Sequence, residues 1–297
     1  MLIKHNFERM INSSKEPASR PTETYSPIKE FGLSLLAMKD GEYYPSGTAM
    51  IITGHLAITA KHVIEDYWRH FEYSKLKPDA KGKHNLVAAQ VQPEKKGALW
   101  TVRKIYFCPS TDIAFLELYP FSEAARSYTW KGINMNLFPP PVGSRVVGFG
   151  YHSSSVNEKD KTINWKDSPT TVIGEVMEIH PAHKDSGFLR FPCFGISNPI
   201  THGMSGGPIF NESGELCGLI TATAYSAITN SIMSYAVSLW PIANTVINIP
   251  GENGITYKYA IDLMKSRILA AKNWEKITFM ENPDGTTRMM VPNEDSL

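Results

Sequence analysis

Cysteine is scarce in this chain: three among 297 residues, at Cys108, Cys193 and Cys217. Three thiols cannot build a disulfide framework, and no two stand at metal-ligand spacing. No metal site and no cofactor is indicated. An excess of charge of one sign is also missing. The formal net charge is +1 and the basic residues are dispersed, which leaves no electrostatic footprint for nucleic acid. Long apolar runs are absent too. The longest uncharged stretch, Leu216 to Gly251, is interrupted by Thr, Ser, Asn and Pro. It holds no run of 18 apolar residues, so no membrane span is expected. The opening segment, Met1 to Arg9, lacks the apolar centre of a signal peptide. One further absence is positional: of nine histidines, none follows His202.

What is present centres on Thr201-His-Gly-Met-Ser-Gly-Gly-Pro-Ile209. Gly203 can adopt backbone angles closed to other residues, so its N–H can turn toward the same point as that of Ser205. A hydroxyl beside two converging amides suits acyl transfer, which needs a nucleophile and donors for the oxyanion. Gly203-Met-Ser-Gly-Gly207 also fits the nucleophile elbow of α/β-hydrolases, whose histidine follows the serine. No histidine follows Ser205, so that order is excluded and the base lies upstream. His62 is best placed, just past the apolar strand of Leu56-Ala-Ile-Thr-Ala60. Asp112 opens a second strongly apolar strand, Ile113 to Leu118. A partly buried carboxylate there needs a donor, and an imidazole N–H would serve.

The rest reads as short strands. Gly32 to Met38 ends at the hairpin-type turn Asp40-Gly41, and Thr48 to Ile52 pairs through Gly54-His55 with Leu56 to Ile58. Leu86 to Val91 and Trp100 to Phe107 are further strands. A helix is expected from Val63 to about Leu76, its aromatics Tyr67, Trp68 and Phe71 serving packing. Lys75 to His84 reads as a solvated basic loop, and residues 10 to 28 as a poorly ordered lead-in. Tyr257, Ile261, Met264 and Ile268 fall at helical spacing, so an amphipathic helix is expected over residues 257 to about 272. Lys276 to Met280, the turn Asn282-Pro-Asp-Gly285 and Arg288 to Val291 read as an extra hairpin.

Thr59-Ala-Lys-His62, Asp112-Ile-Ala-Phe-Leu116 and Gly203-Met-Ser-Gly-Gly-Pro208, in that order, resemble the trypsin-like (chymotrypsin-fold) serine peptidases. The nearest look is to the disulfide-poor HtrA/Deg-type branch, here without a PDZ domain. Val146 to Gly150, Gly214 to Thr221 and Ser234 to Val237 extend the likeness, which covers roughly residues 30 to 245. It implies an all-β fold of two packed six-stranded antiparallel barrels. The first would span residues 29–130 and carry His62 and Asp112; the second would span 131–250 and carry Ser205. A lead-in over 1–28 and an appendage over 251–297 would flank them.

The resemblance further implies that Ser205, His62 and Asp112 act as nucleophile, base and orienting acid, with the amides of Gly203 and Ser205 as the oxyanion hole. Pro199 would floor the P1 pocket, with Ile200 and Thr201 beside it and Ile220, Thr221, Ala222 and Thr223 as the opposite wall. No charge lies among them, so an apolar or small uncharged P1 residue is expected. His202 lies near the rim and reads as a surface histidine, and Cys193 as a small buried hydrophobe. Digestive trypsins carry an aspartate before the nucleophile, which pairs with a freshly cut N-terminus; here Met204 stands there, and that route is excluded. The loop is either formed from the outset or ordered by an activating partner, an oligomer or the substrate. Secreted trypsins also carry a cystine beside the catalytic histidine, but Val63 follows His62, which favours a reducing, cytoplasmic setting. Three functions fit: a serine endopeptidase acting on proteins or peptides, a noncatalytic peptide-binding module, or an esterase using the same triad.

Overall fold

The computed structural model describes residues 18–21, 27–39, 42–70, 85–91, 97–128, 132–159, 162–198, 200–201, 203–250, 256–281 and 287–291. In the N-terminal half, β1 (Gly32–Lys39), β2 (Glu42–Thr53) and β3 (Leu56–Ala60) are successive antiparallel neighbours. β4 (Leu86–Val91), β5 (Gly97–Phe107) and β6 (Ile113–Pro120) form a second such run. β6 pairs back onto β3 and β4 onto β1, closing a barrel in the order β1-β2-β3-β6-β5-β4. The alternation of strand side chains gives this barrel two apolar faces. Ile51 and Ala57 point inward to Leu33, Leu35, Trp100 and Leu116. Their neighbours Met50, Ile52 and Ile58 join a second core that includes Phe149 and Tyr151 of the C-terminal half. A one-residue slip of β2 would exchange the two sets, so burial on both faces fixes the register.

The second barrel uses β7 (Arg145–Lys159), β8 (Thr162–His180), β9 (Cys193–Ile196), β10 (Pro208–Asn211), β11 (Leu216–Ser226) and β12 (Ser231–Ser238). β10 pairs with both β7 and β11, so the path β7-β8-β9-β12-β11-β10 closes on itself. Its interior holds Val146, Val172, Phe194, Ile209, Ile220 and Ala236. The fold is therefore the expected all-β pair of six-stranded antiparallel barrels. Among the described residues no helix is long and apolar enough to cross a membrane.

Three local expectations change. The helix after β3, α1 (Lys61–His70), begins two residues earlier than expected, because Asp112 caps its first amides. Its expected C-terminal end, with Phe71, Lys75 to His84 and the turn Asp40-Gly41, lies outside the described residues. Within the expected disordered lead-in, Ala18–Pro21 forms a strand on Thr170 to Ile173 of β8. That stretch of β8 lies before the part that β9 covers, and an uncovered strand edge offers unpaired N–H and C=O groups.

The helix expected over 257–272 is only α2 (Ala260–Lys265). Tyr257 instead lies in a strand, Thr256–Tyr259, paired with Val246–Pro250. The helix stops at Arg267, which takes a left-handed φ of 58°. The amide of Arg267 donates to Met264 O (3.0 Å) and that of Ile268 to Leu263 O (3.0 Å), the bond pair of a Schellman cap. Ile268 is left exposed, while Ile261 and Met264 enter the core between the barrels. The two strands of the extra hairpin are present, with Thr278–Glu281 antiparallel to Thr287–Met290, while its expected turn, Asn282 to Gly285, lies outside the described residues.

Candidate active site

Three chain segments meet at one cleft of about 620 Å³ between the barrels. The first is the start of α1. The opening N–H groups of a helix have no partner within it, and Asp112 meets two of them. Lys61 N donates to Asp112 O (3.1 Å) and His62 N to Asp112 Oδ1 (2.8 Å). The same contact fixes the imidazole: His62 Nδ1 lies 2.7 Å from Asp112 Oδ2. An N–H at Nδ1 facing a carboxylate leaves Nε2 as the nitrogen able to accept a proton.

The second segment is β11, whose Thr221 hydroxyl also donates to Asp112 Oδ2. Asp112 is 7% exposed, so a buried carboxylate is satisfied from a helix amide, an imidazole and a hydroxyl. Burial pushes the His62 pKa down, but the hydrogen bond and charge of Asp112, with smaller contributions from Asp66 and Glu65, outweigh it. The net direction is upward from the usual 6.5.

The third segment is the glycine-rich turn. Gly203 and Gly206 have φ of +90° and +80°, angles at which a side chain is strained. A Cβ on Gly206 would also strike the Thr59 hydroxyl and Thr48 O. β2 holds this turn from the other barrel: Thr48 N donates to Ser205 O (2.9 Å) and Thr48 Oγ1 to Gly203 O (3.2 Å). β11 holds it from its own barrel, through Gly206 N to Ile220 O and Ile220 N to Gly207 O, both 2.8 Å. Among the described residues neither the Gly203 nor the Ser205 amide has a hydrogen-bond acceptor. Met204 points away from the cleft, fully buried in the second barrel's core.

His62, Gly203, Ser205, Ile200, Thr201, Ile220, Thr221, Ala222 and Thr223 all line this cleft; Asp112 stands behind His62. Pro199 and His202 lie outside the described residues. Sequence reasoning missed four contributors: Thr48 as the brace of the turn, the Thr221 hydroxyl as a donor to Asp112, and Asp66 and Phe188 on the cleft wall. No motif marks these residues; only the meeting of segments from both barrels does. Cys193 is buried as expected, and none of the three cysteines is bonded to another. Among the described residues no group of three or more His, Cys, Asp or Glu is arranged to hold a metal ion.

Residues 47–219 match the family model described as a trypsin-like peptidase domain. No curated protein matches the chain. Many solved structures are similar to it, and two of them serve as examples. One is the apo protease domain of MamO from Magnetospirillum magneticum, at 15% identity over 72% of this chain and 94% of that one, with a TM-score of 0.47. The other is Deg5, at 14% identity over 72% of this chain and 86% of that one, with a TM-score of 0.47.

Proposed function

This chain belongs to the trypsin-like peptidase family, and on that premise we propose that it is a serine endopeptidase. Ser205 Oγ attacks the scissile carbonyl while His62 Nε2 takes its proton, and the Gly203 and Ser205 amides stabilise the oxyanion. His62 then returns the proton to the departing amine, leaving an acyl-enzyme on Ser205. Water, deprotonated by the same imidazole, releases the acid. Asp112 holds the tautomer and offsets the imidazolium charge. One observation carries this reading: His62, bonded to Asp112 behind it, Ser205 and two amides with no acceptor among the described residues line a single cleft.

Ile200, Thr201, Ile220, Thr221, Ala222 and Thr223, with Pro199 as floor, bring no charge to the P1 pocket, which supports apolar or small uncharged P1 residues. The barrels are taken as residues 29–130 and 131–250, with 1–28 and 251–297 outside them. Free buried thiols support a reducing, cytoplasmic setting, and the peptidase family supports protein or peptide chains as the substrates.

A fluorophosphonate probe and a peptide library test the proposal together. Labelling at Ser205 with cleavage of peptides is the expected outcome, lost in Ser205→Ala and reduced about 10⁴- to 10⁶-fold in His62→Ala, since triad members act as a unit. No labelling would leave a noncatalytic peptide-binding module. Labelling with hydrolysis of esters but no peptide would indicate an esterase.

A further inference from the structure

Phe188 is 70% exposed, and a single exposed apolar side chain needs no explanation by itself. Its position and its rigidity do. It borders the proposed catalytic cleft and also a second cavity of about 290 Å³, and among the described residues the two share only His62, Phe188 and Thr221. The ring is thus part of the ridge between two hollows, on either side of the pair that holds Asp112.

The turn bearing it is locked. Asp185 Oδ1 accepts from three successive amides, Gly187 (2.8 Å), Phe188 (2.6 Å) and Leu189 (3.1 Å). Lys184 N donates to Leu189 O (3.0 Å) and Arg190 Nε to Gly187 O (2.7 Å). An aromatic ring held out by that many bonds is pre-organised, so a ligand meeting it loses little entropy in ordering it.

The place along a substrate follows from β11. From Ala222 to Ser226 that strand pairs only with β12 among the described residues. No strand among the described residues pairs with its other edge, which can take an extended peptide by strand addition. The locked turn runs beside this strand, since Lys184 Nζ donates to Tyr225 O (3.1 Å). Side chains of an extended peptide alternate. With P1 in its pocket, the P2 side chain points the other way, toward the His62 ring and Phe188. Ala222, which lines the same cleft, adds only a methyl group, which leaves room.

We propose that Phe188 is a specificity-determining residue that selects an apolar side chain at P2, the residue before the scissile one. The inference rests on the peptidase reading above. Burying a side chain of leucine or phenylalanine size against the ring corresponds to about ten- to a hundredfold in kcat/KM.

The test is a library randomised at P2 with leucine fixed at P1, run on the wild type, Phe188→Ala and Asp185→Ala, with fluorophosphonate labelling alongside. The wild type should favour apolar P2 residues over glycine and aspartate by that factor. The ratio should collapse toward one in Phe188→Ala, chiefly through KM, and fall partway in Asp185→Ala, where the ring remains but its turn is loosened. A wild type that cleaves with no P2 preference, or a Phe188→Ala profile identical to the wild type, overturns the assignment while leaving the peptidase reading intact. If the wild type neither cleaves nor labels, the peptidase reading falls and the subsite with it.

Discussion

Thr221 and His62 share one oxygen: the hydroxyl of the first and Nδ1 of the second both meet Asp112 Oδ2. The other oxygen, Oδ1, accepts from the His62 backbone amide. One carboxylate from the first barrel therefore sets the start of α1, the ring of its second residue and, through Thr221, the approach of the second barrel. The geometry of the proposed triad and the docking of the barrels depend on the same few bonds.

Thr221→Val keeps the shape and removes the hydroxyl. The loss of a hydrogen bond to a buried charged group should cost about 1.5–3 kcal/mol of stability, measured by urea unfolding. Turnover should fall as well, because Asp112 can shift toward other donors and carry the His62 ring with it. Unchanged stability and rate would show that the Thr221 contact is incidental.

The sign of the pH dependence follows from the direction of the His62 shift. In the proposed mechanism His62 works as a base only when neutral, and its pKa is raised above the usual 6.5. It therefore keeps its proton to a higher pH than a free imidazole, and kcat/KM should fall as pH drops through a midpoint above 6.5. Asp66 is among the groups raising it, so Asp66→Asn should move that midpoint downward, by less at high salt because the residue is exposed and screened. A midpoint that moves upward would mean that another group controls the acid limb.

How much of this was legible from the sequence depended on how local the constraint is. The turn around Ser205 is dictated by its own glycines, and Asp112 and His62 each mark a strand end, so those residues could be read one segment at a time. The strands β2 and β3 were equally plain in their apolar runs on either side of Gly54-His55, but not the two cores that their alternate residues join. The helix at residue 260 was overrun because its stop is an arginine in a left-handed conformation, where glycine would have signalled the end. Tyr257 fitted the helical spacing yet was claimed by strand pairing with Ile249, a tertiary choice that period alone cannot reveal. Phe188 sits in a polar turn with no period at all, and only its two neighbouring cavities give it meaning.

The thiols provide an independent check on the fold. Burial pushes Cys108 and Cys193 up to about 12, and Cys217 upward as well. Since the thiolate is the reactive form, iodoacetamide should leave the native protein unmodified under conditions that alkylate all three cysteines after unfolding. With no cystine to lose, dithiothreitol should leave Tm and activity unchanged. Rapid native alkylation, or a large drop in Tm on reduction, would contradict the packing described for β9 and β11.

The last prediction joins Met204 to the P1 pocket. Met204 is fully buried and lies against Gly150, where an added Cβ would come within 2.7 Å of its own Cβ. No carboxylate stands there to receive a newly cut N-terminus, so removing residues 1–17 should not switch activity on. The cut is placed before Ala18 because Ala18–Pro21 completes the edge of β8, and a longer deletion would confound activation with unfolding. At the proposed P1 pocket, Ile200, Ile220 and Ala222 offer no partner for a charge, and an unpaired charge moved into an apolar site costs several kcal/mol. Peptides with Lys, Arg, Asp or Glu at P1 should therefore be cleaved at least about a hundredfold more slowly than those with Leu, Met, Val or Ala. A P1-randomised library on full-length and trimmed protein measures both effects. Dominant cleavage after arginine would place the pocket elsewhere, and activity that appears only after trimming would mean that a different group receives the new N-terminus.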